Sequence, residues 1–311
     1  MFNCAVVIVT FFPEQSSIKT IKTCTDACSF VVVVDNTPDS RSVEFPEADN
    51  LLVVRLGVNK GLATGLNRGI HLSGEKGYQN IFLFDQDSSV SSDFFNKMLL
   101  FKKETDKKYS NCAICVPNFF DRNSQTFSKF PVLDRFRLRH FTCENSYTIP
   151  ANGSVMAITS GSLLDYERVK IIGGMREDYF IDFLDNEYCM RVYTAGYRIS
   201  INCNVILDHA IGNRVTKKFL FLTVKPNHHL PVRKYYITRN GLRTALDYKK
   251  AYPSYFFLIT ARLIHELLSI IFYENLKKKK LKAMLWGVFH SFSNTMGECH
   301  IDSITERDPP K

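Results

Sequence analysis

Asp85-Gln86-Asp87 sets two carboxylates one residue apart at the end of the apolar run Asn80-Ile-Phe-Leu-Phe-Asp85. A chain that kinks after a strand turns both side chains the same way, towards a common divalent cation. Mg2+ or Mn2+ takes one or two protein carboxylates and keeps positions open for phosphate oxygens. A second acidic cluster, Asp182, Asp185 and Glu187, opens a helical pattern that runs to Ala195. Acids in a first helical turn also complement the helix dipole, so a capping role and a chemical role both fit. In a helix beginning near Phe183, residues 182 and 185 project from neighbouring positions and 187 is rotated away, which leaves Asp182 and Asp185 both open as a general base. His209 lies directly after a strand, in Asp208-His-Ala-Ile-Gly212, where an imidazole can complete a metal shell.

The elements around these groups have a clear period. Cys4–Thr10, Phe30–Asp35, Leu51–Leu56 and Asn80–Asp85 are continuous apolar runs, as in strands buried on both faces. Between them, Ser16–Cys28 has helical spacing, and Gly61–Leu72 reads as a helix opened by Gly57-Val-Asn-Lys-Gly61. Ser92–Lys103 is the next helix. Alternating strands and helices with short loops predict an α/β fold with a largely parallel sheet. Ligands of such sheets bind outside the carboxyl ends of the strands. Thr10, Asp35-Asn36, Asn59 and Asp85-Gln86-Asp87 all fall there, although Asp35 alone would serve equally as a turn or cap residue. No GxGxxG follows the first strand and no GxxxxGK[ST] is present, which argues against a dinucleotide oxidoreductase or an ATPase. Residues 105–150 show few clear periods and read as a connection with acceptor-side structure. Beyond them the pattern predicts a strand over Ser154–Thr159, a turn at Ser160-Gly161 and a helical segment over Leu163–Val169. A helix over Phe183–Ala195 and a strand over Arg198–Leu207 follow.

Composition narrows the class. The 311 residues are 45% hydrophobic and 23% charged, which excludes a mostly disordered chain, a collagen and a small disulfide-stapled module. Nine cysteines, an odd number without a histidine partner at zinc spacing, read as reduced thiols of a cytosolic protein. No secretory signal is expected, because Met1–Thr10 lacks a basic start and Pro13 and Glu14 interrupt it. Residues 211–282 hold sixteen Lys or Arg against Asp247, Glu266 and Glu274, whereas the whole chain is only +9. A local anionic partner follows, either nucleic acid or an anionic membrane surface. No nucleic-acid module is recognisable, and the aromatics are not interleaved with Lys or Arg in a stacking pattern. Tyr255–Leu276 is the longest apolar stretch, but Arg262, His265, Glu266 and Glu274 weigh against a membrane span. Its apolar positions, from Phe256 to Phe272, form one helical stripe that could pack on the body or face a membrane. The Lys277–Lys282 cluster favours the membrane surface.

The order and spacing of several motifs resemble the family-2 glycosyltransferases of the GT-A fold, most closely the bacterial rhamnosyltransferases of O-antigen synthesis. The matching stretches are Val6-Val-Ile-Val-Thr-Phe-Phe-Pro13, Val34-Asp-Asn36, Asn59-Lys-Gly-Leu-Ala-Thr-Gly-Leu-Asn-Arg-Gly69 and Phe84-Asp-Gln-Asp-Ser88. Thr159-Ser-Gly161, Phe180-Ile-Asp-Phe-Leu-Asp-Asn-Glu-Tyr-Cys-Met-Arg191, Gly196-Tyr197 and His209 continue the match. The resemblance implies a catalytic domain over residues 1–212, with a nucleotide-sugar half to about residue 105 and an acceptor half over 106–212. A basic helical region over 213–311 would follow. Thr10, Asp35, Asn36, Asn59, Gly61, Asn67, Asp85 and Gln86 would line the donor site. Asp85, Asp87 and His209 would hold Mg2+ or Mn2+ on the donor diphosphate, and Asp185 would be the catalytic base. Ser160, Gly161, Asp182 and Glu187 would lie near the acceptor or diphosphate, as would Arg233, Tyr236, Arg239 and Asn240.

What the family does is implied with it: inverting transfer of L-rhamnose from dTDP-L-rhamnose to a lipid-diphosphate-linked saccharide. The enzyme would sit on the cytoplasmic face of a bacterial inner membrane. Another nucleotide sugar, such as UDP-galactose or UDP-GlcNAc, is the alternative donor, since pocket shape sets sugar choice. The chemistry matches the residues. A diphosphate leaving group gathers negative charge that a cation stabilises, and a hydroxyl of high pKa needs a base. One base without a second carboxylate placed as nucleophile predicts direct displacement with inversion.

Overall fold

Seven consecutive residues of β1 (Phe2–Thr10), from Cys4 to Thr10, are buried in the computed structural model. Successive strand residues point to opposite faces, so a run with no exposed member needs cover on both sides. Helices supply it. α1 (Gln15–Ala27) links β1 to β2 (Cys28–Asp35), and β3 (Leu51–Arg55) leads through α2 (Leu62–Glu75) to β4 (Asn80–Asp85) and α3 (Ser92–Lys108). Then come β5 (Cys112–Asp121), β6 (Thr126–Phe127), β7 (Phe130–Leu133), β8 (Leu138–Phe141), β9 (Ser154–Val155) and β10 (Leu163–Asp165). α4 (Tyr166–Ile172), α5 (Leu184–Thr194), β11 (Arg198–His209), β12 (Lys217–Phe219) and β13 (Leu222–Val224) follow. The last helices are α6 (Pro231–Asp247), α7 (Pro253–Tyr273), α8 (Lys277–Ser293) and α9 (Asp302–Thr305). The structure describes residues 1–39, 43–121, 125–127, 129–143, 154–209, 217–219, 222–224 and 226–305.

The central sheet runs β3-β2-β1-β4-β10-β5-β11, with β6 beside β5. β3, β2, β1 and β4 are parallel, β10 is antiparallel to both neighbours, and β11 is parallel to β5. Register places Thr10 opposite Asp35, Asp35 opposite Arg55, and Val9 opposite Asp85, so the polar strand ends share one edge. The chain leaves β1 towards β2 and returns on its other side to β4, which opens a crevice at the carboxyl ends between β1 and β4. α2 comes close to β1 because Gly69 has no side chain. A Cβ there would stand 2.3 Å from Val7 Cγ1.

Several expectations change. The irregular reading of 105–150 missed β5, whose Pro117 and Asn118 interrupt the apolar pattern of a strand that is nevertheless buried. The helical reading of Leu163–Val169 joined two elements: Leu163–Asp165 is a sheet strand, and Asp165 caps α4 by accepting from the Arg168 N–H at 3.2 Å. The strand expected over Ser154–Thr159 is only Ser154–Val155, paired with β7. The cysteines are not all thiols: Cys143 and Cys203 form a disulfide with Cα atoms 5.3 Å apart, and the other seven are free and buried. Their separation of 60 residues hides the pair, and Cys203 lies in the irregular stretch of β11 between Asn202 and Ile206. Cys112 and Cys115, a C-x-x-C spacing the sequence reading passed over, stand with sulfurs 3.8 Å apart inside β5.

α6 and α7 contribute Ile237, Leu242, Ala245, Tyr255 and Ile259 to the main core. Four buried charges tie the last helices together. Lys234 Nζ is 2.5 Å from Glu266 and 3.0 Å from Glu274, and Lys280 Nζ is 2.7 Å from Glu274. Burial opposes charge on Glu274, but Lys280 and Lys234 outweigh it and hold the carboxyl down at about 2. Lys280 of the expected surface cluster therefore faces inward.

Candidate active site

Asp35 is held from several sides at the carboxyl edge of the sheet. The Thr10 hydroxyl donates to its Oδ1 at 3.0 Å, the Thr37 hydroxyl at 2.7 Å and the Thr37 N–H at 3.1 Å. Arg55 Nη1 stands 3.4 Å from Oδ2. The partners fix this buried carboxylate and balance its charge, leaving lone pairs on Oδ2 for an N–H or hydroxyl of a ligand. Asn36 and Asn59 shape the loop after β3. Asn36 Oδ1 accepts from the Lys60 N–H at 2.9 Å, and Asn59 Oδ1 accepts from the Gly61 N–H at 3.0 Å. Gly61 has φ +88, and a Cβ on it would lie 2.7 Å from the Phe180 carbonyl oxygen, so no other residue fits. Next to it, the Leu62 N–H donates to that same carbonyl at 2.7 Å. The donor-side loop is thereby joined to the second acidic cluster.

The Asp85-Gln86-Asp87 turn spans the crevice. The Phe11 N–H donates to Gln86 Oε1 at 2.7 Å, and Gln86 Nε2 donates back to the Phe11 carbonyl at 3.2 Å. Ser160, fully buried, supports the turn from beneath: the Asp85 N–H donates to its hydroxyl at 3.2 Å, and the Ser88 hydroxyl is 2.5 Å away. The Gly161 N–H donates to the Leu83 carbonyl at 2.7 Å. Asp87 is exposed and Asp85 half-buried. An isolated bridge pairs Ser89 with Asp208, one residue before His209. The backbone thus carries His209 beside the acidic turn, while its side chain lies outside the described residues.

The second acidic cluster rests on a strained turn. Phe180, Asp182 and Phe183 have φ of 64, 63 and 64, a left-handed conformation that non-glycine residues rarely adopt. Helix α6 holds the turn in place. Asn240 Nδ2 lies 2.9, 2.8 and 3.0 Å from the carbonyls of Tyr179, Ile181 and Asp182. Its Oδ1 accepts from Arg239 Nε at 2.9 Å, and Arg239 also donates to the Asp178 and Gly297 carbonyls at 3.2 and 2.7 Å. The Tyr236 ring stacks on Phe180 at 5.3 Å. Arg233, two turns earlier on α6, reaches the Asp182 carboxylate at 3.1 Å. Burial opposes the Arg233 charge, but Asp182, Asp85 and Asp87 outweigh it and raise its pKa. One guanidinium therefore feels both acidic clusters.

Asp185, in the first turn of α5, belongs to the second cluster and feels the charge of Asp85 in the first. Desolvation, helped by the charges of Asp182 and Asp85 and opposed by the Asn186 N–H and Arg262, pushes its pKa up to about 6. A carboxylate near that value is ionised at neutral pH and still basic enough to take a proton.

Five expected site residues act elsewhere, among them Tyr236, which is buried with its hydroxyl accepting from the Cys299 N–H at 2.7 Å. Asn67 pins α2 to the segment before the turn: its Nδ2 donates to the Met175 carbonyl at 2.8 Å, and its Oδ1 accepts from the Met175 N–H at 2.8 Å. Glu187 is buried against Arg191 Nη2 at 2.8 Å and the Tyr248 hydroxyl at 3.0 Å, because a helix turns position 187 away from 185. Arg239 and Asn240 are fully buried with their groups spent on the turn, so they shape the site without facing a ligand. Thr37, Arg55 and Arg262 were missed. The register that sets Arg55 beside Asp35 was the available signal, whereas nothing local marks Arg262, whose guanidinium stands 4.9 Å over the Phe183 ring.

No family model matches the chain. It is 32% identical over 241 residues to the dTDP-rhamnosyl transferase RfbF of Shigella flexneri, covering 77% of this chain and 78% of that protein. A second relative, the low-salt glycan biosynthesis hexosyltransferase Agl10 of Haloferax volcanii, is 20% identical over 308 residues, 96% of this chain and 94% of that protein. Among solved structures, GalNAc-T7 with UDP, GalNAc and Mn2+ superposes with a TM-score of 0.55 at 12% identity, over 94% of this chain and 57% of that one. S. aureus TarS superposes with a TM-score of 0.51 at 12% identity, over 88% of this chain. This chain spans 44% of the length of that TarS chain. A TarS fragment, residues 1–349, in complex with UDP-GlcNAc gives 0.54 at 13% identity, over 92% of this chain and 82% of that one. These likenesses show the GT-A fold, and the acidic turn lies at the crevice where α/β sheets bind their ligands. The chain is a family-2 glycosyltransferase of the GT-A fold.

Proposed function

We propose that the enzyme transfers L-rhamnose from dTDP-L-rhamnose to a hydroxyl of a lipid-diphosphate-linked saccharide, with inversion, at the cytoplasmic face of a bacterial inner membrane. The observation that carries this reading is Arg233, paired with Asp182 at 3.1 Å and under the charge of Asp85 and Asp87, which ties the cluster holding Asp185 to the acidic turn at the crevice. The similarity to RfbF supports the rhamnosyl donor. Asp35, fixed by Thr10, Thr37 and Arg55, receives the nucleoside. Asp185 takes the proton of the acceptor hydroxyl as that oxygen bonds to the anomeric carbon. The bond from that carbon to the diphosphate breaks, and its electron pair leaves with dTDP. Arg233 balances the carboxylates at the diphosphate end.

The donor set fits a divalent cation. Asp85 and Asp87 are hard oxygen ligands, and Asp185 already registers the crowded negative charge of Asp85 and Asp182. Among the described residues, no three His, Cys, Asp or Glu side chains form a group that could hold a metal ion. His209 would complete the set. A bound Mg2+ or Mn2+ supplies positive charge to the leaving diphosphate.

UDP-sugars are the second reading, favoured by the fold likeness to a TarS fragment in complex with UDP-GlcNAc. Incubating the purified enzyme with dTDP-L-rhamnose, UDP-galactose or UDP-GlcNAc and a synthetic lipid-diphosphate saccharide separates the two by mass spectrometry. A deoxyhexose added from dTDP-L-rhamnose alone supports the first, and transfer from a UDP-sugar alone overturns it.

A further inference from the structure

Helix α7 presents one apolar stripe to solvent. Phe256, Phe257, Ile264, Leu267, Ile271 and Phe272 are exposed, Phe257 by 74%, while Glu266 and Ser269 lie on the buried side. The stripe read from the sequence thus faces away from the body. Helix α8 repeats the arrangement. Leu285, Phe289 and Phe292 are 70%, 61% and 64% exposed, and they share a face with Lys278 and Lys282 at steps of three and four residues. Soluble monomers rarely leave large apolar patches open.

The charge on this surface is one-sided. Glu266 and Glu274 are the acids between Pro253 and Ser293, and both are buried in the network with Lys234 and Lys280. Lys277, Lys278 and Lys282 are exposed where α7 meets α8. Outwardly, residues 253–293 offer apolar side chains and lysines without a carboxylate. We propose that the outer faces of α7 and α8 dock in the interfacial zone of an anionic bilayer, with the lysines on lipid phosphates and the aromatics among the acyl chains. A second copy of the chain fits worse, since a self-complementary contact would bring these lysines against themselves. α7 is long and apolar enough to cross a membrane by length and composition, contrary to the expectation from its charges. Its buried side, however, packs on the domain through Tyr255, Ile259 and the Glu266–Lys234 pair. Spanning would strip that pair of its partner, so the helix lies in the plane. The proposal extends the lipid-acceptor reading, and transfer to a soluble acceptor tests the enzyme separately from the membrane.

Flotation of the full chain with vesicles decides it, using phosphatidylcholine containing phosphatidylglycerol against phosphatidylcholine alone. The wild type should float with the anionic vesicles and leave them in high salt. Phe257→Asp with Phe289→Asp should lower partitioning on the order of 100-fold. Lys277→Glu, Lys278→Glu and Lys282→Glu together should lower it on the order of 100-fold as well. Melting temperature and transfer to a soluble acceptor should stay as in wild type. Binding to neither vesicle overturns the proposal. So does a dimer in sedimentation that Phe289→Asp dissociates, or resistance to salt and alkaline carbonate, the mark of a spanning helix.

Discussion

Arg233 meets the Asp182 carboxylate as a fork, with Nε 3.1 Å from one oxygen and Nη2 3.1 Å from the other. The same guanidinium feels Asp85 and Asp87, so it joins an acidic turn at the end of β4 to one that opens α5. Charge-assisted, two-point pairing carries more geometric information than a single contact. Arg233→Lys keeps the charge and loses the fork. Both Arg233→Lys and Arg233→Ala should therefore lower kcat/KM, the alanine by about 10²-fold. Steady-state kinetics over donor concentration check this, and wild-type rates in Arg233→Ala would remove the residue from the site.

The raised pKa of Asp185 makes a pH prediction. As a base it must be ionised, so kcat/KM should rise with pH through about 6 and be lost as pH falls below it. A pH–rate profile with saturating metal measures this, and a flat profile between pH 5 and 8 contradicts it.

The same shift also sets a stability cost. The folded state holds the Asp185 proton more tightly than the unfolded chain, whose carboxyl titrates near 3.8. Stability is therefore fully present below about 3.8 and falls as pH rises through about 6. Asp185→Asn removes the penalty and should stabilise the protein at neutral pH by about 1–2 kcal/mol, a difference that vanishes in acid. Denaturant titrations of both proteins at two pH values give the comparison.

Asn240 is predicted to act through the turn it holds. Asn240→Ala would leave the Tyr179, Ile181 and Asp182 carbonyls short of a donor beside three left-handed residues. A loss of about 2–3 kcal/mol in unfolding free energy should follow. Turnover should fall further than donor affinity does, because the turn carries Asp182 and leads into Asp185, whereas Asp35 is held by other elements. Equal losses in both would mean general destabilisation.

The parallel half of the sheet was legible because burial on both faces writes an unbroken apolar run, as in Val31–Val34. The acidic turn was legible because Asp85 directly ends such a run. β5 was not, since Pro117 and Asn118 look like a loop until β11 and β10 flank them. Nor could periodicity tell which way the α7 stripe faces. A helical stripe marks one side, and it is the burial of Tyr255, Ile259 and the Glu266–Lys234 pair that shows the opposite side is the inner one. Arg239 and Asn240 matched a family block as ligand-side groups. Their partners are backbone carbonyls some 60 residues upstream, which no local pattern records.

The central claim is that Asp185, and not its neighbour, takes the acceptor proton. Single-turnover transfer by Asp185→Asn and Asp182→Asn, with calorimetry of nucleotide diphosphate binding, tests it most directly. Asp185→Asn should lose about 10²–10⁴-fold in rate while binding nucleotide like wild type. Asp182→Asn should lose less, because it breaks the fork to Arg233 and leaves the base in place. A fully active Asp185→Asn beside an inactive Asp182→Asn would contradict the account.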